Sequence, residues 1–283
     1  MTRIGLGCVT FGREIGEDES FAILDYAWEN GVRLFDTAEA YAGGESERIL
    51  GRWMAGRGVG ADALVMTKAS FRLDGAAIRE AAARSLERLG VGSVAYYLLH
   101  RYEPTIPLAE QLSALQDLKA LGLIQNIGCS NFTLRQLRAA NALDRIDVLQ
   151  NMYNLLSRDL EAETMAFCRV NGIAVVTFSP LAAGFLTGKY SKEVPKGSRF
   201  DIVPGHQGVY FSDANFALVN RLQALSIATG IPVVKLAMEW VLNNAAVDYV
   251  LVGARNTGQL ENAFDCLRNP APRAVQDQVR QLT

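Results

Sequence analysis

L-V-M-T-K-A-S-F-R-L-D-G-A-A-I-R-E-A-A-A-R-S-L-E-R-L-G-V-G-S-V-A-Y-Y-L-L-H, residues 64–100, decides the fold. Leu64–Lys68 and Ala95–His100 are short, mostly apolar runs without the polar alternation of a half-exposed strand. Between them Asp74 can cap a helix whose Ile78, Ala82, Leu86 and Leu89 share one stripe. Two strands joined by an amphipathic helix form a crossover unit, and such strands run parallel with both faces covered.

Outward from this unit the pattern repeats. Upstream lie Ile4–Cys8 and Val32–Asp36; downstream lie Ile124–Ser130, Val148–Met152, Ile173–Phe178 and Tyr249–Gly253, which makes eight apolar runs. Pro107 opens a helix with Leu108, Leu112, Leu115 and Leu118 inward, and Thr133 caps another with Leu134, Leu137 and Leu143 on its apolar side. Ser157 is expected to open the next. About seventy residues separate the last two strands, enough for a loop and two helices, marked by Phe216, Val219 and Leu222 and by Pro232, Leu236 and Trp240. Eightfold strand–helix alternation argues for an α/β fold of the (β/α)8 TIM barrel type over an open doubly wound sheet. Such a barrel takes roughly 250 residues, and no composition break divides the chain, so 1–283 is expected to be one domain.

Composition narrows the function. With 49% hydrophobic and 20% charged residues, the chain reads as a globular protein. A net charge of −2 without a Lys/Arg-rich run gives nothing for nucleic acid or an anionic membrane to bind. No leader and no apolar run of about 18 residues is seen, and a cytoplasmic protein is expected. Cys8, Cys129, Cys168 and Cys266 lie far apart, without C-x-x-C spacing or a neighbouring histidine, so buried thiols are expected rather than a metal site or disulfide framework.

Reactive groups of such barrels sit at the C-terminal strand ends. Those ends carry Asp36, Lys68, His100, Ser130–Asn131 and Gln150–Asn151. Each has a plain alternative: Lys68 reaching solvent, His100 satisfied in a core, Asp36 capping a helix. A buried lysine is costly unless paired, and three such residues converging on one mouth weaken the plain alternatives together.

Tyr41 follows Asp36 by five residues in F-D-T-A-E-A-Y. Here the chain resembles the aldo-keto reductase superfamily, whose catalytic set is an Asp and Tyr in D-x-x-x-x-Y, a Lys ending the next strand and a His ending the one after. Asp36, Tyr41, Lys68 and His100 match. So do G-G-E-S-E-R-I-L-G (43–51), G-L-I-Q-N-I-G-C-S-N-F (122–132), S-P-L-A-A-G-F-L-T-G-K-Y (179–190) and V-G-A-R-N-T-G-Q-L (252–260), in order over nearly the whole sequence.

The resemblance implies NAD(P)H-dependent interconversion of a small-molecule aldehyde or ketone with its alcohol. Tyr41 donates the proton, Lys68 favours phenolate, Asp36 fixes and neutralises Lys68, and His100 orients the carbonyl oxygen. By the same resemblance Ser130, Asn131 and Gln150 hold the nicotinamide carboxamide, and Phe178 stacks on its ring. The segment Leu181–Lys189 covers the pyrophosphate, so Ser179, Leu181, Gly184, Leu186, Gly188 and Lys189 join the cofactor set. At the adenosine end stand Gly253, Arg255, Gln259 and Asn262, and the guanidinium of Arg255 favours NADPH over NADH. Two local motifs are rejected: Gly5-x-Gly7 lacks the third glycine of a dinucleotide fingerprint, and Ala183–Lys189 is followed by Tyr190 where a P-loop needs Ser or Thr.

The chain departs from the family in four places. The first strand begins almost at Met1, so the common N-terminal hairpin under the barrel is not expected. S-V-A-Y replaces an acidic-aromatic lead into the fourth strand, and Asn262–Ala263 stands where E-N is common after Gln259. Either a one-residue deletion shifts Glu261 and Asn262 into place or adenine contacts are weakened. A short C-terminal tail implies an open pocket, with Phe11, Phe71, Tyr102, Phe200 and Tyr210 as candidate lining. Three rival readings remain: a keto-sugar reductase or sugar dehydrogenase, a non-catalytic NADPH-binding regulatory subunit, and a Schiff-base aldolase using Lys68. The last needs an unpaired lysine of lowered pKa.

Overall fold

The computed structural model describes residues 2–191 and 193–282. Eight strands, β1 (Ile4–Gly7), β2 (Leu34–Asp36), β3 (Leu64–Ala69), β4 (Val94–Leu99), β5 (Ile124–Ser130), β6 (Val148–Met152), β7 (Ala174–Phe178) and β8 (Tyr249–Gly253), pair in sequence order, all parallel, and β8 closes on β1. Around them lie α1 (Glu17–Glu29), α2 (Glu45–Arg57), α3 (Gly75–Leu89), α4 (Leu108–Ala120), α5 (Leu134–Leu143) and α6 (Thr164–Asn171). The connection after β7 holds two short helices, α7 (Arg199–Ile202) and α8 (Gln207–Tyr210), then α9 (Asp213–Thr229) and α10 (Val233–Leu242); α11 (Thr257–Arg268) and α12 (Arg273–Gln281) follow β8. The (β/α)8 barrel expected from strand–helix alternation is the fold observed.

Local signals act where they were read. Asp74 accepts the Ala77 N–H as the cap of α3, and Thr133 forms a reciprocal capping box with Gln136 on α5. Ser157 does not open a helix. It sits in a tight turn, its backbone paired with Asn154, and α6 starts seven residues later at Thr164. The side chain of Asn154 already accepts the Leu156 N–H, which closes that turn and leaves Ser157 no helical start to cap.

Barrel closure rests on a filled interior. Leu34, Met66, Leu98, Val148, Val176 and Leu251, one from each of six strands, form an apolar plug. The other two strands carry glycine at that level. A Cβ on Gly128 would lie 2.5 Å from Val148 Cγ1 and 2.7 Å from Leu98 Cγ, and one on Gly5 would lie 2.7 Å from Leu251 Cδ2. Large side chains from the flanking strands occupy those spaces. All four cysteines are buried and unpaired.

A second cluster covers one side of the mouth. Phe185, Tyr190, Phe200, Tyr210 and Leu222 are among its buried members, packed by the connection after β7. Phe200 and Tyr210 are therefore core residues, as is Phe11 in the main core, and these three do not line an open pocket. Of the five expected lining aromatics, Phe71 is 62% exposed, and Tyr102 is half-buried edge-on to Phe132.

Candidate active site

Side chains alternate along a strand, so residue i+2 shares the face of residue i. Two residues beyond the interior plug stand Asp36, Lys68, His100, Ser130, Gln150, Phe178 and Gly253, and beyond Gly5 stands Gly7. One pleat step thus brings Asp36, Lys68, His100, Ser130 and Gln150 to the C-terminal mouth, with Phe178 beside them. Gly7 is paired with Gly253, which leaves a gap at the mouth free of side chains.

Lys68 lies at its centre with no exposed surface. An ammonium has three N–H donors, and all are taken: by Asp36 Oδ1 at 2.6 Å, the Thr37 carbonyl at 2.7 Å and Tyr41 Oη at 3.3 Å. Burial acts to lower the Lys68 pKa, but Asp36 and Tyr41 outweigh it and the net direction is up. The solvent-reaching alternative for Lys68 and the capping alternative for Asp36 are both excluded. Asp36 also accepts Gln150 Nε2 at 2.6 Å. Burial raises its pKa, against the lowering effects of Lys68 and Gln150.

Tyr41 follows Asp36 on a short helical turn, Tyr41–Gly44, where Ala42, Gly43 and Gly44 all have positive φ. Its phenol pKa is raised, burial outweighing the opposing pull of Lys68. Lys68 pulls this group toward phenolate, but burial is the larger effect and the phenol keeps its proton near pH 7. The His100 ring stands edge-on to Tyr41, centroids 5.8 Å apart. Burial, then the charges of Lys68 and Arg101, lower the imidazole pKa to about 3, so it is neutral near pH 7. Its Nδ1 lies 2.5 Å from Ser70 Oγ.

The proposed nicotinamide ligands are adjacent. Ser130 Oγ is 3.3 Å from Gln150 Oε1, and Asn131, at φ 59°, donates from Nδ2 to Ser130 Oγ and to the His100 carbonyl. Phe178 is half-buried at the rim. Beyond it Ser179, Ala182, Ala183, Gly184 and Gly188 all have positive φ. For the three non-glycine residues that conformation costs on the order of 1 kcal/mol each and is a recurrent feature of ligand clamps. In this stretch Leu181, Gly184 and Gly188 are half-buried, Leu186 is buried and Lys189 is exposed.

The far side of the mouth is cationic. Glu14, only 2% exposed, accepts hydrogen bonds from Arg13 at 2.7 Å and from Arg199, and lies 3.9 Å from Arg255. One carboxylate serves three guanidinium groups and leaves a positive excess. Burial, with Arg13 and Arg255, lowers the Arg199 pKa to about 10, still above neutrality. Gln259 accepts the Arg255 N–H at 2.9 Å, and Asn262 is exposed. Glu261 binds Tyr26 and Arg268 and so is engaged within the protein.

Arg13, Glu14, Arg199, Glu39 and Ser70 were not singled out from sequence. Glu39 could have been found, since it lies inside D-T-A-E-A-Y; the others carry no local signal. No group of His, Cys, Asp or Glu side chains able to hold a metal occurs among the described residues, and none of their helices is by itself long and apolar enough to cross a membrane.

The site is thus an Asp36–Lys68–Tyr41 contact chain beside a neutral histidine at the mouth of a closed parallel barrel. The chain belongs to the aldo/keto reductase family, whose model matches residues 3–283. It is 32% identical over 276 residues to aldo-keto reductase YhdN of Bacillus subtilis (strain 168), covering 92% of this chain and 83% of that one. It is also 33% identical over 294 residues to a probable voltage-gated potassium channel subunit beta of Oryza sativa subsp. japonica, covering 94% and 88%. Among solved structures, the glycerol dehydrogenase AKR11B4 from Gluconobacter oxydans superposes with a TM-score of 0.85 at 27% identity, covering 100% of this chain and 91% of that one.

Proposed function

We propose that this chain, read as one domain over residues 1–283, reduces an aldehyde or ketone with NADPH, or runs the reverse reaction, with Tyr41 as proton donor. The observation that carries this reading is the contact chain Asp36–Lys68–Tyr41 beside a neutral His100. The phenol holds its proton at neutral pH, as a general acid must. As the proton leaves, the Lys68 cation stabilises the growing phenolate charge; in the oxidative direction it lowers the cost of the phenolate that accepts a proton. Asp36 keeps Lys68 charged although buried. In this reading an N–H of His100 holds the carbonyl oxygen as negative charge develops there.

The residues present fit a nicotinamide dinucleotide. Ser130, Asn131 and Gln150 offer donors and acceptors for a carboxamide, Phe178 a ring face, and the Gly7–Gly253 gap room for close approach. Ser179, Leu181, Gly184, Leu186, Gly188 and Lys189 would cover its pyrophosphate, on the strap in which Ser179, Ala182 and Ala183 are strained. When bound, the nicotinamide supplies or accepts the hydride. Three arginines sharing one glutamate favour the phosphorylated cofactor, whose extra dianion suits the guanidinium fork. Gly253 and Gln259 border that end, with Asn262 at its solvent edge.

The likeness to a channel beta subunit is the ground for a second reading, an NADPH-binding regulatory protein. The Asp36–Lys68–Tyr41 contact chain, with His100 edge-on to Tyr41, supports catalysis over it. A keto sugar is one of the carbonyl classes the first reading admits. The aldolase reading is disfavoured, because Lys68 has all three donors engaged and its pKa is raised.

Tyr41→Phe tests the assignment. A general acid contributes about 10²- to 10⁴-fold, so kcat should fall by about 10³ on a panel of aldehydes, ketones and keto sugars. NADPH affinity, read by nicotinamide fluorescence, should be little changed. Full activity in the variant would refute the role of Tyr41.

A further inference from the structure

We propose that Ser70 is a positioning residue that donates its hydroxyl proton to His100 Nδ1 and thereby holds His100 as the Nε2–H tautomer, the form able to donate toward a carbonyl oxygen. The inference rests on the carbonyl-reduction reading and assigns a task to a residue outside the tetrad.

A neutral imidazole carries one N–H, and whichever group binds the other nitrogen decides where it sits. Ser70 Oγ lies 2.5 Å from Nδ1, whereas its other acceptor, the Lys68 carbonyl, is at 3.5 Å. If Nδ1 carried the proton, the Ser70 hydroxyl would have to spend its own donor on that longer contact. Donation from Ser70 to Nδ1 uses the short one. Nε2, which makes no hydrogen bond among the described residues, then bears the proton on the ring edge away from Ser70.

Ser70 is itself held in place. Its backbone N–H donates to Glu39 Oε1 at 2.7 Å, and Glu39 is 5% exposed. Glu39 belongs to the loop that carries Tyr41 and Ser70 to the loop after β3, so this bond couples the placement of the two proton-bearing groups. Burial, with the neighbouring Lys68 and Arg101 cations, keeps the ring uncharged, so the choice lies between two neutral tautomers. The wrong one would present a lone pair to the carbonyl oxygen and repel it.

The chain has two histidines, so ¹⁵N-histidine labelling in a His206→Gln background leaves one imidazole to observe. At pH 7 the expected spectrum shows a pyridine-type Nδ1 and a pyrrole-type Nε2. Ser70→Ala should move both resonances toward their average and lower kcat about tenfold with NADPH affinity unchanged, while Ser70→Thr, which keeps the hydroxyl, restores both. An Nδ1-protonated ring in the background protein, or a Ser70→Ala spectrum identical to it, overturns the proposal. If the spectra behave as expected but no carbonyl is reduced, the tautomer assignment stands and the enzymatic reading fails.

Discussion

Replacing Asp36 by Asn removes a charge from the buried Lys68 site with little change of shape. Lys68 is wholly buried and Asp36 nearly so, their atoms 2.6 Å apart. An ion pair broken in such surroundings costs about 3–5 kcal/mol, because the surviving charge is stranded. Asn retains an acceptor for Lys68 and Gln150, which places Asp36→Asn near the lower bound, about 3 kcal/mol. Lys68→Met strands the carboxylate instead, with Gln150 as its remaining side-chain partner, and should cost a similar amount. The double variant strands nothing and should lie within about 1–2 kcal/mol of the parent, since apolar or neutral replacement of a buried pair is often nearly neutral. Urea unfolding of the four proteins without cofactor measures the cycle. At about 2.1 cal/mol/K per residue over 283 residues, 3 kcal/mol corresponds to a Tm drop of about 5 °C. Additive losses, with the double variant as unstable as the sum of the singles, would refute the argument that each partner is retained to compensate the other.

Two further outcomes follow from the electrostatics. An unfolded imidazole takes up a proton near pH 6.5, but folded His100 resists until about 3, so acidification below 6.5 favours unfolding by up to about 1.4 kcal/mol per pH unit. A His100→Asn variant should lose that part of the slope between pH 6.5 and 5 in urea titrations; parallel slopes would show that His100 titrates normally. Arg255→Gln should weaken NADPH about tenfold while leaving NADH almost unchanged in fluorescence titration; equal effects on both cofactors would remove Arg255 from phosphate recognition.

Much of the fold was legible because parallel barrel strands announce themselves locally. Three runs, Ile124–Ser130, Val148–Met152 and Tyr249–Gly253, have the observed limits; Ala95–His100 is one residue late at both ends, and the others differ by one or two residues at one end. The caps at Asp74 and Thr133 act within one turn, so their short-range pattern carried them. Ser157 misled for the same reason: its residue type suits a cap, but the Asn154 turn ahead of it takes the chain elsewhere. Phe200 and Tyr210 were misplaced because aromatic residues suit a pocket and a core equally well, and what decides is the packing of distant segments.

By itself the sequence determined that eight apolar runs end in Asp36, Lys68, His100, Ser130, Gln150 and their neighbours, since strand period and chain order are local properties. Tertiary structure alone decided what those groups become. It closed β8 on β1, engaged all three Lys68 donors, and half-buried Tyr41, so that desolvation raises its phenol pKa although a cation lies beside it. It also gathered Arg13, Arg199 and Arg255 around Glu14 and set Ser70 against His100. The physical reason is that burial, charge pairing and tautomer choice depend on distances across the barrel mouth, which exist only once the barrel has closed.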